Sequence, residues 1–145
     1  MGLPIKNGKI TTPYLKKGKM WSKGYHTGVD FAVPVGTPIV AVADGVVAKA
    51  NWGSAYGTQI VQQIGLHSNK VWAIYAHLNK SLVKPGDNVK EGQIIGETGN
   101  TGNSSGPHLH FELRDNIRWS AGKDVDPKDI FNSLPLHSTT AEVKP

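Results

Sequence analysis

Two histidines stand two positions apart in "SGPHLHFELRD", and a third stands four residues before an aspartate in "YHTGVDFA". Imidazole and carboxylate are the side chains that bind zinc where no thiolate is on offer, and imidazole also moves protons near neutral pH. The chain has no cysteine. Disulfides, iron–sulfur clusters and thiolate zinc sites are therefore excluded, and any metal must be held by His and carboxylate.

A metal site that keeps one position open for substrate needs three protein ligands. His26, Asp30 and one of His108 and His110 could supply that set, a donor chemistry that suits zinc. On a helix His26 and Asp30 would share a face, but Gly28, Val29 and Pro34 predict an extended or looped segment. On a strand, His108 and His110 would lie about 7 Å apart between Cα atoms, close enough for one to bind a metal while the other reaches what is bound to it. The same alternation puts Leu109, Phe111 and Leu113 on a core face and His108, His110 and Glu112 on the other. Glu112 reads equally well as a partner that orients an imidazole or as a surface carboxylate. His67 and His137 have no such setting and read as structural.

The elements that must position these residues are strands. Seventeen glycines and nine prolines mark many turns, and no segment keeps a 3.6-residue apolar period for long. Residues 37–50 predict two strands around the Asp44-Gly45 turn, and 57–64, 70–78, 92–99 and 108–114 predict further strands. In the 70–78 strand, Val71, Ala73, Tyr75 and His77 fall on one face by alternation, and Trp72, Ile74 and Ala76 on the other. The predicted fold class is mainly β, a compact antiparallel sheet forming a sandwich or open barrel, with a groove walled by loops at 51–57, 65–70 and 99–107. Residues 125–131 predict one helical turn.

At 145 residues and 38% hydrophobic content the chain is large enough to bury a core without staples. Its net charge of +5 sits at one end: residues 1–23 carry six lysines and no acid, leaving 10 basic against 11 acidic residues beyond them. Such a segment suits a polyanion. It lacks the interleaved aromatics and arginines of nucleic-acid readers, so no nucleic-acid partner is expected. The most apolar run, 31–48, is broken by Pro34, Gly36, Pro38, Asp44 and Gly45, so no membrane span is expected, and the first twenty residues lack the apolar stretch of a signal peptide.

"HTGVD", "YAHL" and "GPHLHFEL", in this order, resemble the motifs of the lysostaphin and LytM-type zinc endopeptidases, which cut peptide cross-links of bacterial peptidoglycan. The resemblance covers roughly residues 24–115, and implies a duplicated-hybrid-motif type of β fold. It implies one zinc ion per chain, held by His26, Asp30 and His110, with His77 and His108 as catalytic residues facing the water and the scissile carbonyl. Zinc lowers the pKa of bound water from about 16 to about 7 and polarises a carbonyl, while an imidazole can take the water's proton and give it to the leaving amine. The family also uses a tyrosine upstream of the first ligand; Tyr14 and Tyr25 are not at the expected spacing.

The expected organisation is a basic segment at 1–23, a catalytic domain at 24–134 and a flexible tail or linker at 135–145. A monomer acting at the bacterial wall is expected, as a phage lysin or an excised domain of a secreted enzyme, with the N-terminal lysines meeting anionic wall polymers. The alternative is a catalytically inactive LytM-like wall-binding or activator module, which would lack one of the five positions. "VKPGDNVKEGQIIGETG" is also similar to a hairpin of biotinyl and lipoyl carriers, which have no use for His26, Asp30, His108 and His110 together, so that similarity reads as shared β architecture.

Overall fold

The computed structural model describes residues 2–12, 28–66, 69–102, 104, 106–115 and 124–125. Among them nine strands form one sheet: β1 (Val29–Phe31), β2 (Pro38–Val40), β3 (Gly45–Trp52), β4 (Thr58–Leu66), β5 (Asn69–Ser81), β6 (Asn88–Val89), β7 (Ile94–Thr98), β8 (Leu109–Arg114) and β9 (Asp124–Val125). All pairings are antiparallel, along the path β1-β8-β5-β4-β3-β6, with β7 beside β5 and β2, and β9 beside β8. The sheet is open and mainly antiparallel, as the sequence predicts. One 3-10 turn, Ser54–Tyr56, is the only helical turn among the described residues. No helix among them is long and apolar enough to cross a membrane.

One face of the sheet is built from the residues that alternation selects. Val71, Ala73 and Tyr75 of β5 and Leu109, Phe111 and Leu113 of β8 join Val29, Phe31, Ile39, Ile60 and Ile95 in the main core. Tyr75 and Phe111 are directly opposite in register and meet edge to face at 5.3 Å between ring centroids, a favoured aromatic geometry. The other face of β8 departs from expectation. His110, Glu112 and Arg114 are buried as well, so β8 is covered on both sides, by apolar packing on one and by a polar cluster on the other.

The simple alternation of β5 also fails where it pairs with β4. Thr58 pairs with Leu78 and Ile60 with Tyr75, so two residues of β5, Ala76 and His77, oppose one of β4. This is a β-bulge, and His77 takes the left-handed conformation with φ of 64°, an uncommon and strained choice for a residue with a side chain. The extra residue moves His77 off the face of Val71, Ala73 and Tyr75, and core packing resumes at Leu78. The bulge sits where β5 changes neighbour, pairing β8 through Ala76 and β7 from Leu78.

Two further expectations change. The strands on either side of Asp44-Gly45 exist but do not form a hairpin: β2 pairs β7, whereas β3 pairs β4 and β6. Of the segment between them Ala41, Val42 and Ala43 are buried, and it crosses from one ladder to the other, held by Ala41 N to Gln93 O, Val42 N to the Tyr75 hydroxyl, and Glu91 N to the Asp44 carboxylate. The loop expected at 65–70 is instead the closed end of the β4–β5 hairpin, with Leu66 opposite Asn69. Eight residues of strand separate it from His77, on the order of 25 Å.

Residues 2–12 lie against the sheet. Ile5 is buried in the core, and Thr11 and Thr12 hydrogen-bond the backbone of Asp30. The expected helical turn falls mostly on residues outside those described, as do Tyr14, Tyr25, His26, four of the six N-terminal lysines and the tail.

Candidate active site

Cross-strand register assembles the site. Asp30 of β1, His110 of β8 and Ala76 of β5 are directly opposite one another across three strands, and directly opposed residues share a face. The carboxylate of Asp30 lies 2.9 Å from His110 Nδ1. Gly28 permits this approach, because a Cβ there would collide with the Phe111 carbonyl and crowd the His110 ring. The glycine of "HTGVD" is thus required by how closely this segment passes β8.

The β5 bulge brings His77 to the same place. Its ring centroid lies 4.8 Å from that of His108 and 6.1 Å from that of His110. His108 precedes β8 and bridges Gly99, and its Nε2 is 3.8 Å from the Asp30 carboxylate. Four of the five site residues predicted from sequence, Asp30, His77, His108 and His110, therefore converge; His26 lies outside the described residues.

Both His77 and His108 are oriented by the connection between β7 and β8. His77 Nδ1 donates to the Thr101 carbonyl at 2.7 Å, and His108 Nδ1 donates to the Gly106 carbonyl at 2.7 Å, with Ser104 Oγ at 3.3 Å. A neutral ring that donates through Nδ1 presents an unprotonated Nε2. Burial pushes the His77 pKa down to about 4, against the pull of the Thr101 hydrogen bond and helped by the neighbouring His110 and His108. His77 is accordingly neutral at physiological pH.

Thr101 is itself pinned, its hydroxyl donating to Leu78 O at 2.6 Å and accepting from Thr58 N at 3.1 Å. Gly57 and Gly102, both with positive φ, pack backbone to backbone where no Cβ would fit. The 53–57 turn and the 99–102 segment are locked together beside the site.

Behind His110 lies a network that sequence reasoning saw only in part. Glu112 Oε1 accepts from His110 Nε2 at 3.0 Å and from the Tyr56 hydroxyl at 2.7 Å, while Oε2 accepts from Arg114 Nη1 at 2.9 Å. Of the two readings open for Glu112, the surface carboxylate is overturned: it is fully buried. Arg114 could have been found, since it continues the alternation from His110 and Glu112. Tyr56 carries no local signal, being brought in by its turn from more than fifty residues away.

Residues 24–127 match the family model described as Peptidase family M23. The chain belongs to Peptidase family M23. The glycyl-glycine endopeptidase ALE-1 of Staphylococcus capitis is 47% identical over 120 residues, covering 81% of this chain and 32% of that protein. The catalytic domain of the antimicrobial peptidase lysostaphin from Staphylococcus simulans superposes with a TM-score of 0.78 at 37% identity, covering 88% of this chain and 95% of that one. A zinc-containing peptidase from Vibrio cholerae superposes at 0.66 and 36% identity, over 77% of this chain and 35% of that one. The M23 chain spans about a third of the length of the first curated relatives it matches.

M23 enzymes are metallopeptidases, and the donor set fits a metal. Both nitrogens of His110 face carboxylates, Asp30 at Nδ1 and Glu112 at Nε2. A neutral imidazole has one N–H, so one of these contacts would set a lone pair against an anion unless a cation intervenes. Burial opposes charge on His110, yet the two carboxylates outweigh it and hold its pKa up at about 9. The site thus favours positive charge between Asp30 and His110. Among the described residues no group of three potential ligands assembles; the third expected donor is His26.

Proposed function

We propose that this M23 chain is a zinc-dependent endopeptidase that hydrolyses peptide cross-links of bacterial peptidoglycan. The observation that carries the reading is the convergence of two Nδ1-anchored imidazoles, His77 and His108, on the Asp30–His110 pair. His26, Asp30 and His110 would hold one zinc ion. When bound there, zinc supplies a Lewis acid for the scissile carbonyl and makes water acidic enough to attack near neutral pH.

The chain's own residues do the rest. His77 and His108 each offer Nε2 to a proton, and between them they take it from the attacking water and return it to the leaving amine, general base and then general acid work. Their anchored Nδ1–H groups keep Nε2 aimed at the reacting atoms through both steps, so no reorientation accompanies the proton transfer. Residues 24–134 form the catalytic unit, 1–23 lead into it and 135–145 serve as a tail or linker. The polar, glycine-bearing turns beside the site suit small, flexible cross-bridges built of glycine or containing D-alanine. The enzyme acts as a monomer at the cell wall, with the N-terminal lysines toward anionic wall polymers.

The test is loss of turbidity of purified cell walls with and without a chelator, followed by zinc add-back and mass analysis of released fragments. Chelator-sensitive clearing with new amino termini is expected and names the bond. A zinc-loaded protein that clears walls of no cross-link type would overturn the reading in favour of a wall-binding or activator module.

A further inference from the structure

We propose that Glu112 is a positioning residue for His110: it accepts the hydrogen bond of the Nε2–H, so keeps the proton on that nitrogen and leaves Nδ1 to the metal ion, and is held in place by Tyr56 and Arg114. The inference rests on the reading of Asp30 and His110 as metal ligands and adds what decides which nitrogen ligates.

His110, Tyr56 and Arg114 all donate to Glu112, the first two to Oε1 and the third to Oε2. A carboxylate held by a hydroxyl and a guanidinium as well as by the imidazole cannot follow the ring if it turns. Asp30, by contrast, stands on β1 with 16% of its side chain exposed. When a metal ion takes the place of one proton of His110, the proton that remains belongs on Nε2, against the fixed and fully buried acceptor, leaving the Nδ1 lone pair on the side of Asp30, where His108 also stands.

The energetics argue that this network is there for something other than stability. Glu112 lies opposite Ile74 and Arg114 opposite Trp72 in the sheet, and both charged side chains are fully buried. Replacing a buried ion pair by apolar residues of similar volume is often neutral or stabilising. What an apolar pair could not do is accept a proton's hydrogen bond from His110. Partners that hold a ligating imidazole in one tautomer raise its basicity and fix its plane. Tyr56 extends the device: its ring lies 5.7 Å from His110 and its hydroxyl binds the same Glu112 oxygen. It belongs to the 3-10 turn that Gly57 locks to the 99–102 segment.

The experiment measures zinc affinity of purified wild-type, Glu112→Gln and Tyr56→Phe proteins by competition with a chromogenic chelator, and reads the His110 tautomer in the zinc-loaded wild type by long-range 15N correlation. Expected are one zinc per wild-type chain, affinity about 10- to 100-fold weaker in Glu112→Gln, a smaller weakening in Tyr56→Phe, and a proton on His110 Nε2. A folded Glu112→Gln protein with wild-type affinity, or a zinc-loaded His110 protonated at Nδ1, overturns the proposal and leaves the metal site standing. If Glu112→Gln does not fold, the wild-type tautomer decides alone. A wild type that takes up no zinc overturns the metal-site reading and this proposal with it.

Discussion

His77 stands on β5 and His108 just before β8, yet each donates its Nδ1–H at 2.7 Å to a carbonyl of one connection, Thr101 for the first and Gly106 for the second. A single stretch of backbone thus fixes the tautomer of both rings and holds their centroids 4.8 Å apart. Rings tethered in this way are suited to proton transfer, because a ring that donates through Nδ1 keeps Nε2 aimed away from its anchor.

If these two rings do the proton work, replacing either by alanine removes chemistry and leaves metal binding. His77→Ala and His108→Ala are expected to retain one zinc and to lose about 10²- to 10⁴-fold in kcat, the range of general acid–base catalysis. Zinc content by atomic absorption and fragment release from walls check this together; normal turnover in His108→Ala would remove it from the mechanism.

Loss of a ligand gives the opposite pattern. Asp30→Ala and His110→Ala are expected to lose zinc affinity by more than the roughly 100-fold that an outer partner accounts for. Adding zinc back should restore chelator-treated wild type and leave both variants inactive. Retained stoichiometric zinc in either protein would show that the ligand was misassigned.

Thr101 is predicted to act through His77. Its hydroxyl ties Thr58 to Leu78 while its carbonyl holds the ring, so Thr101→Val should cost about 1–3 kcal/mol in stability and lower kcat about tenfold with unchanged zinc affinity. Thr101→Ser keeps both hydrogen bonds and should behave as wild type. Equal activities of the two variants would dissociate this threonine from the reaction.

The burial of His77 has a pH signature. Its folded pKa of about 4 lies below the ordinary 6.5, so between those values the unfolded chain binds more protons than the folded one. The contribution of His77 to stability is therefore fully present above about 6.5 and is lost as pH falls toward 4. Urea midpoints of metal-free protein between pH 7 and 4.5 should drop more steeply for wild type than for His77→Gln, whose amide can still reach the Thr101 carbonyl. Parallel slopes would contradict the assignment.

Much of the site is legible in the sequence because its register is local. The alternation through Leu109, His110 and Phe111 tells which side each residue takes, and Gly28 beside Val29 marks an extended approach. His77 is different: alternation puts it on one face with Val71, Ala73 and Tyr75, and only the bulge at Ala76 and His77, where β5 changes partner, a tertiary fact, explains why it parts from them. Alternation leaves Glu112 undecided for the same reason. Whether a strand face opens to solvent depends on what covers it, and here the cover includes Tyr56, whose position follows from loop closure rather than from spacing. The pairing of β2 with β7 instead of β3 is likewise a long-range choice that the Asp44-Gly45 turn signal cannot reveal.

The bulge that carries His77 also says how easily a gene could shed the chemistry. One residue separates Thr58 from Ile60 on β4 and two separate Leu78 from Tyr75 on β5, so deleting the single codon for His77 would equalise the count. The ladder would close, the left-handed residue would vanish, and Tyr75 and Leu78 would keep their places in the core. Such a deletant should be more stable than its parent, by about 1 kcal/mol from relieved strain, and inert. At this point the β4–β5 ladder carries one residue more than its hydrogen bonding requires, and that surplus residue is the one with the proton-accepting nitrogen.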